Sequence, residues 1–150
     1  GKVYFENSVF NPYGWSVENP PIVANCYGSD FSKLQMERAI KFWESKGEPI
    51  GFYEHNPPPS VCEEQWLRGF IIIRKSPPGF GADGTLASTR RYTVGYAMVS
   101  AEIFYNPGSQ NLDLINEHEL GHALGFAHVE LDGHIMHPLY QSMGKGYWVP

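Results

Sequence analysis

The stretch His118-Glu119-Leu120-Gly121-His122-Ala123-Leu124-Gly125-Phe126-Ala127-His128 decides how the chain is read. On a helix, histidines at i and i+4 lie on one face a turn apart, so His118 and His122 can reach a single ion. Gly125 can take positive φ at little steric cost, which ends the helix and turns the chain sharply. That turn lets His128, beyond the helix, swing back as a third ligand. Three neutral imidazoles around Zn²⁺ leave a fourth position open, the arrangement of a catalytic rather than a structural site. Glu119, beside the first ligand, can lean over that position, take a proton from water there and pass it to a leaving amine.

A bare His-Glu-x-x-His arises by accident on any polar helix face. With Gly125 and His128 also at their offsets, a chance match at all five positions is on the order of one in ten thousand for this composition. Other third ligands can be weighed. No Glu follows Glu130, which lies only eight residues past His122, so a Glu on a later helix is disfavoured. Asp132, His134 and His137 are available, but none stands beyond Gly125 at the spacing of His128. Asp132-Gly133 reads as a turn and His134 as a loop or surface histidine; neither His137 nor the distant His55 has a clear role.

Working outward, 150 residues make one domain, taken as 1–150. A composition 42% hydrophobic and 15% aromatic can bury a core, while 16 Gly and 12 Pro indicate a loop-rich fold. The net charge of −5 argues against nucleic-acid or anionic-membrane partners. No apolar run approaches the ~20 residues of a membrane span. The chain opens Gly1-Lys2 without Met or a signal peptide, as expected if a leader, pro-segment or tag has been removed.

Ile22 to Tyr27 reads as a strand after Pro20-Pro21. Asp30 or Ser32 can cap a helix over 31–46, with Met36, Ala39, Ile40 and Trp43 as its buried stripe and Gly47 as its stop. Ile50 to Glu54 is a second strand. Phe70-Ile71-Ile72-Ile73 is a continuous apolar run, expected of a central strand covered on both faces. Thr85 to Thr89 and Ala101 to Tyr105 are further strands, the latter closed by Asn106-Pro107-Gly108. A helical pattern over Leu112 to Ala127 stops at Gly125. The order implies an α/β sandwich, one twisted sheet on two helices.

These residues resemble the metzincin zinc endopeptidases, and among them the matrixins, the family of the matrix metalloproteinases. Asn111-Leu112-Asp113-Leu114-Ile115, His122-Ala123-Leu124-Gly125 and Met136-His137-Pro138-Leu139-Tyr140 are similar to matrixin segments; the resemblance is strong over about 84 to 140. It implies an α+β fold with a mostly parallel sheet, an antiparallel edge strand, an N-terminal helix and a zinc-binding active-site helix. It implies that Gly84-Thr85-Leu86-Ala87 is the edge to which a peptide substrate adds, with Leu86 and Ala87 binding it. Pro138 to Tyr140 would wall the pocket beside the zinc, and Met136 would form a turn beneath the metal, with core packing as its whole role. A secreted monomer is expected, acting on peptide or protein substrates. The departures are specific. No histidine occurs in 56–117, so a single zinc is expected, without the family's structural one. Structural calcium has weak support, since the 76–90 loop offers only Asp83. Val129 replaces a polar residue, the ten residues after Tyr140 are too few for the family's last helix, and no Arg-Cys-Gly latency motif is present.

Cys26 and Cys62 suit either a disulfide of a secreted enzyme or two buried thiols. Two rivals to the endopeptidase reading keep the zinc site: a hydrolase of a non-peptide or cell-wall amide, and a silent binding module. An intact Glu119 counts against the second.

Overall fold

In a computed structural model of the chain, which describes residues 14–16, 18–81 and 84–146, the elements follow the order expected from the sequence apart from one added short helix. They are β1 (Ile22–Asn25), α1 (Lys33–Ser45), β2 (Phe52–Glu54), α2 (Pro59–Glu63), β3 (Phe70–Lys75), β4 (Ala87–Val94), β5 (Ala97–Tyr105) and α3 (Ile115–Leu124). The sheet order is β2-β1-β3-β5-β4, parallel throughout except for β4, which pairs antiparallel to β5 at the edge. No helix among the described residues is long and apolar enough to cross a membrane.

The pleat divides the central strands between two faces. Val23, Ile71, Ile73, Ala101, Ile103 and Tyr105 join the cluster beneath α1 and α3, together with Met36, Ala39, Ile40 and Trp43 of the expected stripe. On the other face Ile72 is fully buried and Glu102 is nearly so. The 59–68 segment covers that face. Arg74 donates to the carbonyls of Cys62 and Glu64 and to Glu102 Oε2, and Trp66 stacks on Tyr92. The Tyr92 hydroxyl donates to the other Glu102 oxygen at 2.6 Å, so the buried carboxylate is paired. A disulfide between Cys26 and Cys62 ties the cover to the end of β1, which resolves the alternative left open by the sequence.

Several boundaries differ from the sequence reading, each for a local reason. Ser32, not Asp30, caps α1 by accepting from the Gln35 N–H. The strand read as ending at Tyr27 stops at Asn25, whose side chain turns the chain by accepting from Tyr27 N and Gly28 N. The strand read as 85–89 starts at Ala87 and runs to Val94, and β5 starts at Ala97 rather than Ala101. A two-residue turn at Gly95-Tyr96 joins them, with Val94 opposite Ala97. The 90–94 part of β4 escaped notice because an edge strand with one wet face carries Arg90, Arg91 and Thr93 instead of an apolar run. Helix α2 was not anticipated. Its five residues, entered through prolines, are too few to show a period. Asp83 lies outside the described residues.

Helix α3 is shorter than the 112–127 pattern. Leu114, with φ +68°, precedes it, and its carbonyl accepts from His118 N, while Gly125 with φ +116° ends it. Phe126 N donates back to Gly121 O at 3.0 Å, closing the last turn in the Schellman manner. The helix is fastened to α1 by Trp43, whose indole donates to Glu117 O at 2.7 Å and stacks on Phe126.

Gly121 sits where these parts converge. A Cβ there would lie 2.5 Å from the Met136 sulfur and 2.6 Å from the Trp43 ring. Replacing glycine by alanine within a helix gains about 1 kcal/mol of propensity, whereas overpacking a core costs roughly 1–3 kcal/mol. With both neighbours fully buried, the clash wins. Gly121→Ala should therefore lower the melting temperature measured by circular dichroism, and an unchanged or higher value would show that Met136 and Trp43 can move aside.

Candidate active site

Helix α3 places the His118 and His122 rings on one face with centroids 4.8 Å apart, and the turn at Gly125 returns His128 to 4.6 Å from His122. One ring nitrogen from each of the three lies within 4.8 Å of the others. The remaining nitrogens explain the orientation. His118 Nδ1 donates to Ile135 O and His122 Nδ1 to Phe126 O, both at 2.8 Å. A carbonyl can only accept, so each Nδ1 carries the proton and each Nε2 turns a lone pair inward. His122 Nε2 and His128 Nε2 stand 3.1 Å apart. Two nitrogens at about 2.0–2.1 Å from one tetrahedral ion would be roughly 3.3 Å apart. The donor set therefore fits zinc.

The segment beyond His128 holds this arrangement from below. Val129 N donates to Met136 O at 3.0 Å, and Met136 is fully buried against α3. The turn thus fixes His128 through its neighbour and His118 through Ile135 O. Val129, the apolar departure noted in the sequence, is fully buried because it faces this packing. His134 lies in a loop, one of the two readings of the sequence, and corrects the other. It is fully buried rather than a surface histidine, and its Nδ1 accepts from Met136 N at 2.9 Å, because 129–137 folds back under the helix. His137 Nδ1 accepts from Leu139 N, with Nε2 3.4 Å from Asp132. Neither joins the three-histidine cluster. His55 lies elsewhere, against the Tyr53 hydroxyl at 2.7 Å.

A cleft of about 810 Å³ runs across the cluster. It brings Leu86, Ala87, Pro138 and Tyr140 to the same opening as the three histidines and Glu119. Of the expected edge segment only Ala87 lies in β4, and Leu86 O accepts from Asn106 N at 3.0 Å. Glu119 lies at the cleft wall, with Oε2 4.0 Å from His118 Nε2 and Oε1 accepting from the Thr89 hydroxyl at 2.8 Å. The sequence reading placed Thr89 in a strand and gave it no role at the site. Its one signal is alternation, since it follows Ala87 by two and so shares its face.

Burial sets the protonation states. Desolvation lowers His118 to about 4 and also depresses His122 and His128, so all three are neutral at pH 7. Desolvation raises Glu119 to about 7, opposed by the Thr89 hydroxyl. A carboxyl near 7 can both accept and return a proton at neutral pH.

The chain matches the matrixin family model over residues 27–148. It belongs to the matrixins, a family of zinc metalloendopeptidases. No curated protein sequence matches it. Among solved structures it is similar to high choriolytic enzyme 1 (HCE-1), a hatching enzyme zinc-protease from the medaka fish Oryzias latipes. That match has 17% identity and a TM-score of 0.42, covering 77% of this chain and 49% of that one. The chain thus spans about half the length of that protein.

The opposed shifts give a prediction for metal-free protein. Glu119 holds its proton more tightly when folded, so its contribution to stability is full in acid and is lost as pH rises from about 4.5 through 7. His118 acts oppositely, destabilising the fold as pH falls from 6.5 towards 4. Glu119→Gln removes only the first effect. In chelator, its unfolding free energy should match wild type near pH 4.5 and exceed it at pH 8 by up to ~3 kcal/mol, with the melting temperature rising in the same sense. A difference that stays constant between those pH values would refute the assignment.

Proposed function

We propose that the chain is a single-domain, secreted endopeptidase with one zinc held by His118, His122 and His128, and with Glu119 as general base and acid. The observation that carries this reading is the convergence of three inward Nε2 atoms and the Glu119 carboxylate on one open cleft beside β4, the edge strand of the sheet among the described residues. When bound, zinc polarises the scissile carbonyl and makes a water acidic enough to attack it. Ile135 O and Phe126 O hold two of the imidazoles in the tautomer that binds metal. Glu119 takes the proton of the attacking water and delivers it to the departing amine, a transfer that its raised pKa suits.

The substrate is an extended peptide added alongside β4, which gives affinity through backbone hydrogen bonds and selectivity through pockets. Ala87 opens the strand that would receive it. The Leu86 carbonyl, engaged by Asn106, shapes the entry instead of joining the ladder. Pro138 and Tyr140 form the far wall of the pocket beyond the scissile bond. The disulfide is consistent with secretion.

Metal analysis joined to digestion of a denatured protein mixture tests this reading. Wild type should carry about one zinc per chain and cut, whereas Glu119→Ala should keep the zinc and lose cutting by on the order of a hundredfold or more. Zinc-replete wild type that cuts no protein would favour a non-peptide amide substrate or a silent binding module. Equal activity in Glu119→Ala would remove that residue from its role.

A further inference from the structure

We infer that Thr89 is a positioning residue: its hydroxyl holds the Glu119 carboxylate in the working rotamer and ties it to the strand that receives the peptide. The inference rests on the endopeptidase reading for its functional meaning, and on the structure for the contact.

The pleat of β4 turns Thr89 and Arg91 towards α3. Arg91 Nη1 donates to Gly125 O at 3.3 Å, and Thr89 Oγ1 reaches Glu119. Two acceptors of that residue are within range, the backbone O at 3.3 Å and Oε1 at 2.8 Å. A hydroxyl has one proton to give. An interior helix carbonyl already accepts an N–H from four residues on, while a carboxylate forms the shorter, charge-assisted bond. The distances therefore assign the proton to Oε1. An ordinary threonine-to-helix contact would show the reverse order.

The carboxylate oxygens are thereby divided. Oε1 is held by Thr89, and Oε2 remains on the side of the ligand nitrogens, 4.0 Å from His118 Nε2. A glutamate side chain has three rotatable bonds, and ordering it costs entropy at each encounter unless it is held beforehand. Threonine suits the task because its β-branch restricts χ1, so the hydroxyl direction is set by the strand itself. Ala87 and Thr89 belong to one stretch of backbone, so a peptide docked there meets a base whose position is referenced to the same strand.

The test uses the full chain carrying zinc, with Thr89→Val, Thr89→Ser and Glu119→Ala, singly and with each Thr89 variant joined to Glu119→Ala. On a fluorogenic peptide, Thr89→Val should lower kcat by on the order of tenfold to a hundredfold. KM and zinc content should stay within about twofold of wild type, and Thr89→Ser should regain most of the loss. Loss without rescue by serine, or a loss confined to KM, would overturn the positioning role. A second measurement, independent of activity, is the melting temperature of the metal-free proteins. Thr89→Val should shift it in wild type and much less in Glu119→Ala, whereas equal shifts would overturn the contact. Should Thr89→Val not fold, Thr89→Ala, which also lacks the hydroxyl, takes its place in both measurements with the same expected changes. If wild type cuts no peptide, the endopeptidase reading fails, and the thermal cycle still decides whether the pair exists.

Discussion

The close approach of helix α3 to the Met136 turn is the constraint on which the rest of the structure depends. It is possible because position 121 carries no Cβ, so a thioether and an indole can occupy the space that any other side chain would fill. Once the turn lies that near, two of its carbonyls fall where the site needs them. Ile135 O orients His118, and Met136 O secures Val129 and with it His128. A substitution that moved the turn by about an ångström would thus disturb two of the three imidazoles together.

The site works against the stability of the chain that carries it. Three imidazoles and a carboxyl are packed into a cleft whose desolvation disfavours every charged form. What holds them is the two-sided burial of the sheet. One face packs on α1 and α3 through Trp43, Ile71, Ile103 and Tyr105. The other is closed by the 59–68 segment, where Arg74 and Tyr92 satisfy Glu102 and a disulfide anchors the cover. Rigid elements on both sides let the cleft keep groups that gain nothing from the fold until a cation joins them.

The features legible in the sequence are those set by local spacing. The stripe of Met36, Ala39, Ile40 and Trp43, the apolar run of β3 and the i, i+4 histidines each declare themselves within a few residues. The edge hairpin did not, because about half of β4 faces water and its turn is Gly95-Tyr96 rather than a strong turn pair. His134 did not either. A histidine next to a turn looks like a surface residue until the chain beyond it is seen to fold under a helix.

By itself, then, the sequence determined the chemistry: three imidazoles, a neighbouring carboxyl and a glycine to bend the chain between them. It determined these because helical spacing and the φ freedom of glycine act over a single turn. Only the tertiary structure decided which nitrogen of each imidazole faces inward, that Cys26 and Cys62 are joined, that Gly121 is a contact point, and that Thr89 meets Glu119. Apart from the His122 bond to Phe126, four residues on, those outcomes depend on groups well separated in sequence. The separation is 17 residues for His118 and Ile135, 30 for Thr89 and Glu119 and 36 for the disulfide, and no local pattern encodes such a distance.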